Sequence, residues 1–392
     1  MSSSTFQPFT GAYYSGSYRE SMQSLAVPNW TAAELWGNKE SPWNFRNCLV
    51  GTAEECAAVW KRWQLDGVFD RDGDSTFFVL KQVFRFRGRT HERWGVFGAL
   101  SAVDGNVHVH EDVSLEGAEN TRHRFELSRA DLTPIFAGIE ESHHERLRTL
   151  LAGLTEGRVP LVLYQENKNA FHVLWKIESA AERDKVSRFF DDKKFYLLDG
   201  HHRFRGAQDN FKRGLGDGRL LSCVTTMASE DLLILAIHRA VIHEQWLLPE
   251  LALEDLKRLG CETVRRVRWT QETFADAVFS TNWKEGDFYF LPVQSAELFL
   301  MKLPPAQGAN SLVVERVERE IFAKIPGASL LPVNDLPFLA DQLASGQAQA
   351  AIILPPVPAQ AVRRVADAGK VMPRKSTQFY PKPALGLICR PW

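Results

Sequence analysis

Two neighbouring runs of strand-forming residues constrain the fold of this 392-residue chain most strongly. The first, TFFVLKQVFRFRGR, covers residues 76–89, and the second, RWGVFGALSAVDGNVHVHE, covers residues 93–111. Both are dense in Val and Phe and alternate with polar residues, which is typical of paired strands. A chain that contains these two runs needs a sheet with at least one buried face.

Helical patterns alternate with these strands. TAEECAAVWKRWQLDG begins with the N-cap residue Thr52 and ends at Gly67, and charged helical patterns follow at about 142–155 and 179–190. Between the last two, PLVLYQENKNAFHVLWKI predicts a hairpin around the turn ENKN. Strands and helices mixed in this order predict an α+β (mixed α/β) fold in which helices flank mixed sheets.

The order of these patterns predicts three segments. We expect an aromatic-rich N-terminal segment at 1–72, a mixed sheet domain at 73–230 and a C-terminal α/β domain at 231–392. At the start of the last segment, SEDLLILAIHRAV carries a helix-capping signal at Ser229. The polar pair His238 and Arg239 would then close a buried helix or, alternatively, face a ligand pocket.

Charge and composition limit the classes of partner. The chain has 47 basic and 48 acidic side chains, so it offers no strong field to duplex DNA or to an anionic membrane. Its longest apolar runs, such as LLILAI, are far shorter than the roughly 20 residues that cross a bilayer. The start, MSSSTFQPFT, lacks the pattern of a secretory signal, so we expect a cytoplasmic protein without membrane or nucleic-acid partners.

The stretch YLLDGHHRFRGAQDNF at 196–211 suggests a binding site. A strand-like run ends at Asp199, Gly200 allows a sharp turn, and a helical pattern follows. The first turn of a helix attracts phosphate through its unpaired N–H groups and its dipole, and Arg203 would add a fork-shaped cation. His201 and His202 can donate hydrogen bonds or move a proton near neutral pH.

A structural role explains the same residues equally well. Asp199 would then be the N-cap of a helix whose basic first turn is solvated.

Two further clusters favour a site. NVHVHED places His108, His110 and Asp112 on one face of a predicted strand and Glu111 on the other, where a metal or a proton could be held. Exposed strand histidines are the alternative.

Near the C-terminus, MPRKSTQFYPK groups Arg374, Lys375, Ser376 and Thr377, which suit a phosphorylated or acidic ligand. A basic surface loop is the alternative there.

The order of these motifs resembles a known family. HE near residue 110, DGHHR at 199–203, IHR at 237–239 and DAGKVMPRKSTQFYPKPALGL at the C-terminus together resemble the bacterial family known as domain of unknown function 1015. The resemblance covers about residues 75–390, and its C-terminal string is the most specific part. The N-terminal SMQSLAVPNWTAAELWG departs from the family's Tyr-Asp-Val string, and Asp112 replaces its basic residue after HE.

The DGHHR turn is also similar to the phosphate-binding turn of the ParB/sulfiredoxin superfamily, which includes kinases of free serine. The resemblance implies that Asp199, Gly200, His201, His202 and Arg203 line the phosphates of a nucleotide. Because it rests on one short motif, it is an analogy between folds and not a demonstration of function.

Together, the motifs and the resemblance predict nucleotide-dependent phosphoryl transfer to the hydroxyl of a small metabolite such as free L-serine. Glu111, Asp199, His201 and His202 are the candidate catalytic residues, and Gly200, Arg203 and Arg239 are expected to bind the nucleotide.

Arg374, Lys375 and Ser376 are expected to bind the substrate, with Mg²⁺ bridging the phosphate oxygens. The alternative is a regulatory protein that binds or hydrolyses a nucleotide without a metabolite acceptor. A homodimer is compatible with either hypothesis.

Overall fold

The structure is a computed structural model that describes residues 4–29, 41–168, 170–228, 230–246, 248–270, 273–306 and 311–392. Its α-helices are α1 (Gly16–Arg19), α2 (Met22–Leu25), α3 (Ala53–Leu65), α4 (Leu115–Ser128), α5 (His144–Thr155), α6 (Ala180–Phe190), α7 (His201–Lys212), α8 (Pro249–Arg258), α9 (Phe274–Phe279), α10 (Val313–Arg316), α11 (Leu336–Ala344) and α12 (Ala359–Asp367). Within these described ranges, every helix is too short or too polar to cross a membrane.

The strands of the described residues are β1 (Phe6–Gln7), β2 (Ala12–Tyr14), β3 (Phe69–Arg71), β4 (Phe78–Phe86), β5 (Arg89–Ser101), β6 (Val107–His108), β7 (Ala130–Asp131), β8 (Ile135–Ile139), β9 (Val162–Asn167), β10 (Ala170–Lys176), β11 (Phe195–Asp199), β12 (Arg219–Thr226), β13 (Leu233–Leu235), β14 (His238–Ile242), β15 (Glu262–Arg268), β16 (Asp287–Pro292), β17 (Glu297–Lys302), β18 (Ser329–Val333), β19 (Ala350–Ile353), β20 (Gln378–Tyr380) and β21 (Arg390–Pro391).

Contacts within the chain define two units. The first unit consists of residues 1–233, 363–371 and 379–392, and the second consists of residues 234–362 and 372–378. The expected N-terminal segment and sheet domain therefore share the first unit with two stretches from near the C-terminus. The three-segment division from the sequence stays a prediction about which parts fold independently.

The first unit is built on a nine-stranded mixed sheet. Its strand order is β6-β11-β8-β12-β5-β4-β10-β9, and β1 pairs with β5. β11 runs parallel to β6 and antiparallel to β8, whereas β12 runs parallel to β8 and antiparallel to β5. The predicted pairing of β4 with β5 and the predicted β9–β10 hairpin are both confirmed. The mixed sheet with its helices confirms the predicted α+β (mixed α/β) class.

A shared hydrophobic core fixes the connection between β11 and α7. Phe195 and Leu197 of β11 are fully buried in the same cluster as Phe204 of α7 and Phe6 of the N-terminal segment. Gly206 lets α7 approach α4 closely, because a Cβ atom there would lie 3.0 Å from the backbone nitrogen of Arg122. The hydrophobic core and the close packing of α7 on α4 therefore fix the end of β11 and the start of α7.

The C-terminus of the chain closes the first unit. β21 pairs with β7, and the completely buried carboxylate of Asp131 accepts hydrogen bonds from Arg390 at 3.0 Å and from Trp392 at 3.1 Å. It also accepts one from the backbone of Leu221 at 2.8 Å. Burial raises the pKa of Asp131, against the opposing effect of Arg390.

The second unit contains a six-stranded antiparallel sheet in the order β15-β17-β16-β19-β14-β18. Tyr289, Leu298, Leu339 and Ile353 form the centre of its core. The helix predicted from SEDLLILAIHRAV is wrong: its described residues form β13 and β14. Ser229, the proposed cap, lies outside the described residues. A short apolar run fits a buried strand as well as a helix, and pairing with β18 and β19 decides for the strand.

Candidate functional site

The DGHHR motif forms the predicted strand-to-helix turn. β11 ends at Asp199, Gly200 is the N-cap of α7, and its backbone is left-handed with φ 98° and ψ 27°. A Cβ atom at this position would lie 2.6 Å from Cγ2 of Ile135. Both the left-handed backbone and the close approach therefore require glycine.

Asp199 lies between two cations. One carboxylate oxygen accepts a hydrogen bond from Nζ of Lys382 at 2.6 Å, and the other accepts one from Arg203 at 2.7 Å. Burial by itself raises the pKa of Asp199, but Lys382 and Arg203 outweigh it and hold the pKa well below its usual range. The side chain is therefore a carboxylate at neutral pH.

Arg203 is fixed by more than this ion pair. Its Nη1 also donates to Oγ1 of Thr133 at 3.1 Å and to the carbonyl oxygen of Pro134 at 2.5 Å. The guanidinium is therefore tied to the segment before β8, and it retains about a fifth of its side-chain exposure. A ligand that reaches the turn would meet a cation that is already oriented.

His201 forms a buried pair with His110. Their rings are 4.7 Å apart and nearly perpendicular, and His201 is only 8% exposed. Burial lowers the pKa of His201 far below its usual value, with His110 adding to the effect, and burial lowers the pKa of His110 to about 4. Both imidazoles are therefore neutral at pH 7. Nε2 of His201 has no hydrogen-bond partner among the residues that the structure describes.

His202 holds the start of α4. Its Nε2 accepts from the backbone N–H of Ser114 at 3.2 Å and lies 3.2 Å from the hydroxyl of that N-cap residue. Gly117 leaves the necessary space, because a Cβ atom there would lie 2.6 Å from the same ring nitrogen. His202 thus links the first turns of α4 and α7.

The HxHxD segment is less regular than predicted. Strand β6 covers only Val107 and His108, so the predicted strand through 112 is wrong at its end. Ser114, six residues after the end of β6, is the N-cap of α4. His108 lies 3.8 Å from Asp367, whereas the half-buried Glu111 directly follows His110 in the chain.

The first turn of α7 begins at a residue without a capping side chain, because Gly200 is its N-cap. The dipole of a 12-residue helix adds a partial positive charge at the same end. Two cations and one carboxylate therefore surround a helix start that favours a further negative charge.

The second unit holds the other four predicted site residues. Arg239 is buried, and its donors bind Glu318 at 2.8 Å and the carbonyl oxygen of Lys375 at 3.1 Å. Arg374 and Lys375 are exposed in a turn where Lys375 has a φ of 59°, and the buried Ser376 hydroxyl donates to the Pro373 carbonyl at 2.6 Å. The buried Arg239 thus stabilises the backbone of this basic turn.

Asp199 does not fit the role of a protein ligand for Mg²⁺, since both of its oxygens are engaged by cations. Among the described residues, no three His, Cys, Asp or Glu side chains are grouped so that they could hold a metal ion.

Lys382 is the site residue that the motif analysis missed. It closes the string FYPK, which belongs to the most specific part of the family resemblance but follows Ser376, the last of the predicted site residues. Lysine in an otherwise aromatic and proline-rich string was the available signal. Its distance of 183 positions from Asp199 concealed the contact.

Comparison with known families identifies the chain. The sequence model of a family described as "Protein of unknown function (DUF1015)" matches residues 40–316, and the chain belongs to this family. The predicted resemblance to this family is thus confirmed, although the matched range begins earlier and ends before the MPRKST string. None of the curated proteins matches the sequence.

Several solved structures are similar to parts of the chain. A conserved hypothetical protein from Pyrococcus furiosus is 13% identical, with 73% of this chain and 90% of that chain covered and a TM-score of 0.36. A free serine kinase in complex with AMP is 15% identical, with coverages of 74% and 90% and a TM-score of 0.38. A C-terminally truncated SbnI from Staphylococcus aureus is 12% identical, with coverages of 73% and 83% and a TM-score of 0.40.

Proposed function

We propose that this member of the DUF1015 family binds a nucleotide through its phosphates at the first turn of α7 and transfers a phosphoryl group to the hydroxyl of a small metabolite. One observation carries the proposal: Arg203 and Lys382 converge on a single carboxylate at the start of a helix whose N-cap residue, Gly200, has no capping side chain. Cations and helix N–H groups arranged in this way are the groups that recognise phosphate.

Asp199 supports this role by what it already binds. Its two oxygens lie 2.6 and 2.7 Å from the cationic nitrogens, so both cations already donate hydrogen bonds to an anionic group. A phosphate oxygen of similar size can share these donors or take the place of the carboxylate.

Proton transfer and hydrogen bonding to the ligand are assigned to different side chains. The low pKa of Asp199 makes it a weak proton acceptor at neutral pH, because a general base works best with a pKa near the operating pH. We therefore assign the base to Glu111. Neutral His201 would contribute a hydrogen bond through its unpaired Nε2, and not a charge.

The acceptor to test first is L-serine, since the DGHHR turn resembles that of a superfamily with free-serine kinases. The exposed Arg374 and Lys375, beside Ser376 in the second unit, remain candidates to bind an acidic or phosphorylated ligand. Mg²⁺ would arrive on the nucleotide, with phosphate oxygens as its principal ligands.

Calorimetric titration with ATP, ADP and CTP tests the binding site. Arg203→Met should weaken nucleotide binding about 10-fold or more, the cost of losing a charge-assisted hydrogen bond. Arg205→Met is the matched control, because it removes the same charge from the same helix, where the side chain pairs with Asp209. Equal affinity of the two variants would exclude the first turn of α7 as the phosphate site.

Turnover tests the transfer step separately. Glu111→Gln keeps the size and polarity of the side chain and removes its ability to accept a proton. It should abolish phosphoryl transfer and leave the dissociation constant of the nucleotide unchanged. Full turnover in this variant would remove Glu111 as the base, and nucleotide hydrolysis without an acceptor would favour the regulatory alternative.

A further inference from the structure

A row of four polar side chains crosses the sheet of the first unit. Arg93 on β5 lies opposite Gln82 on β4, and Gln82 lies opposite His172 on β10. Glu166 on the next strand, β9, continues the row. All four are buried, with side-chain or residue exposures of 1–2%. Burying these polar side chains costs free energy of desolvation, which hydrogen bonds must compensate.

Hydrogen bonds connect the row from end to end. Oε1 of Gln82 accepts from Nε of Arg93 at 3.0 Å and from its Nη2 at 2.6 Å, which fixes the orientation of the amide. The amide nitrogen then lies 3.3 Å from Nδ1 of His172, and Nε2 of that ring lies 2.7 Å from Glu166. Because the amide must donate, Nδ1 accepts and Nε2 carries the proton.

The row binds three consecutive backbone carbonyls near the C-terminus. Arg93 donates to the carbonyl oxygen of Tyr380 at 3.3 Å and also to that of Pro381. Gln82 donates to the carbonyl oxygen of Lys382 at 3.3 Å. The side chain of Lys382 leaves this fixed backbone and reaches Asp199 at 2.6 Å.

We propose that Glu166, His172, Gln82 and Arg93 form a positioning row that presents the ammonium group of Lys382 at the phosphate-binding turn. The assignment to a phosphate site rests on the proposed function. The row donates to the backbone of residues 380–382, and Arg93 also donates to the carbonyl oxygen of Asp231 at 3.5 Å. It reaches the turn through Lys382. Fully apolar residues would pack the sheet at least as well, but they would remove the hydrogen bonds that the row donates to these three carbonyls.

A chemical probe tests the row in the absence of any ligand. N-hydroxysuccinimidyl acetate modifies free lysine amines, and peptide mass spectrometry gives the rate at Lys382. Gln82→Met keeps the side-chain volume and removes all four hydrogen bonds of the amide, among them the one to the carbonyl oxygen of Lys382. The variant should acetylate Lys382 about 5-fold faster than the wild type, since the backbone has lost one buried hydrogen bond.

Thr225→Val is the control variant. It removes a buried hydrogen bond from a side chain to a backbone carbonyl oxygen, that of Thr225 to Trp94 at 2.8 Å, and leaves the hydrogen bonds of the row in place. Its Lys382 should react at the wild-type rate. If Gln82→Met does not fold, Arg93→Lys keeps the charge and removes the fork that binds two carbonyls. An unchanged Lys382 rate in a folded variant of the row would overturn the proposal.

Nucleotide affinity then tests the coupling to the site. Gln82→Met should weaken ATP binding about 5-fold in the wild-type background and have no effect in a Lys382→Met background. An equal loss in both backgrounds would show that the row acts by another route. If the wild type binds no nucleotide, the proposed function fails, while the acetylation rates still decide whether the row positions Lys382.

Discussion

Asp199→Asn is the perturbation that isolates the ion pairs at the turn. The substitution keeps the shape of the side chain and removes the charge that Lys382 and Arg203 share at 2.6 and 2.7 Å. These three side chains are 20–25% exposed, so their interaction lies between the values of surface and buried pairs. We expect a loss of about 2 kcal/mol in the free energy of unfolding, or about 4–8 °C in the midpoint of a thermal transition.

The control for this experiment lies on α7, the helix that carries Arg203. Asp209 also contacts two cations, Arg205 at 3.1 Å and Lys212 at 3.8 Å, but both are about half exposed or more. Asp209→Asn should therefore cost less than about 0.5 kcal/mol in urea unfolding. Equal stabilities of the two variants would refute the conclusion that burial strengthens the pairs of Asp199.

The pH dependence supplies an independent check. Because the pKa of Asp199 is lower in the folded protein than in the unfolded chain, its contribution to stability is present above the unfolded value of about 4. The stability difference between wild type and Asp199→Asn should be constant from pH 5 to 8 and should shrink as the pH falls below about 4. A difference that grows on acidification would contradict the assigned direction.

Three further substitutions test other parts of the structure by urea unfolding. Gly200→Ala should cost at least about 1 kcal/mol in the free energy of unfolding, since the left-handed backbone and Ile135 both exclude a Cβ atom. Wild-type stability of this variant would contradict the left-handed conformation at position 200. His202→Ala should cost about 1 kcal/mol in the free energy of unfolding, because the backbone N–H of Ser114 loses its acceptor. An unchanged stability would show that this hydrogen bond does not stabilise the start of α4. Asp131→Asn should cost about 3–5 kcal/mol, and a small effect would mean that its buried ion pair is weak.

Local signals predicted the turn correctly. The apolar run before Asp199, the flexible Gly200 and the helical spacing of Phe204 and Ala207 each act within a few residues, and the structure has the expected strand, turn and helix. Phe211, which shares that spacing, is 45% exposed and packs outside the core. Spacing thus predicts the helix better than it predicts which residues are buried.

Long-range contacts account for what the sequence did not reveal. No local pattern connects Lys382 with Asp199, and the contact arises because the C-terminal segment returns to the first unit. Gln82 and His172 occupy ordinary polar positions in alternating strands, which predicts exposure to solvent. Both are buried because the segment at 380–382 covers that part of the sheet.

Phosphorus NMR of the purified protein with Mg²⁺, ATP and free L-serine tests the central claim most directly. Our account predicts a new phosphomonoester signal that depends on serine and is lost in Glu111→Gln. No turnover with ATP, ADP or CTP, together with no thermal shift from any of these nucleotides, would contradict a phosphate site at the first turn of α7.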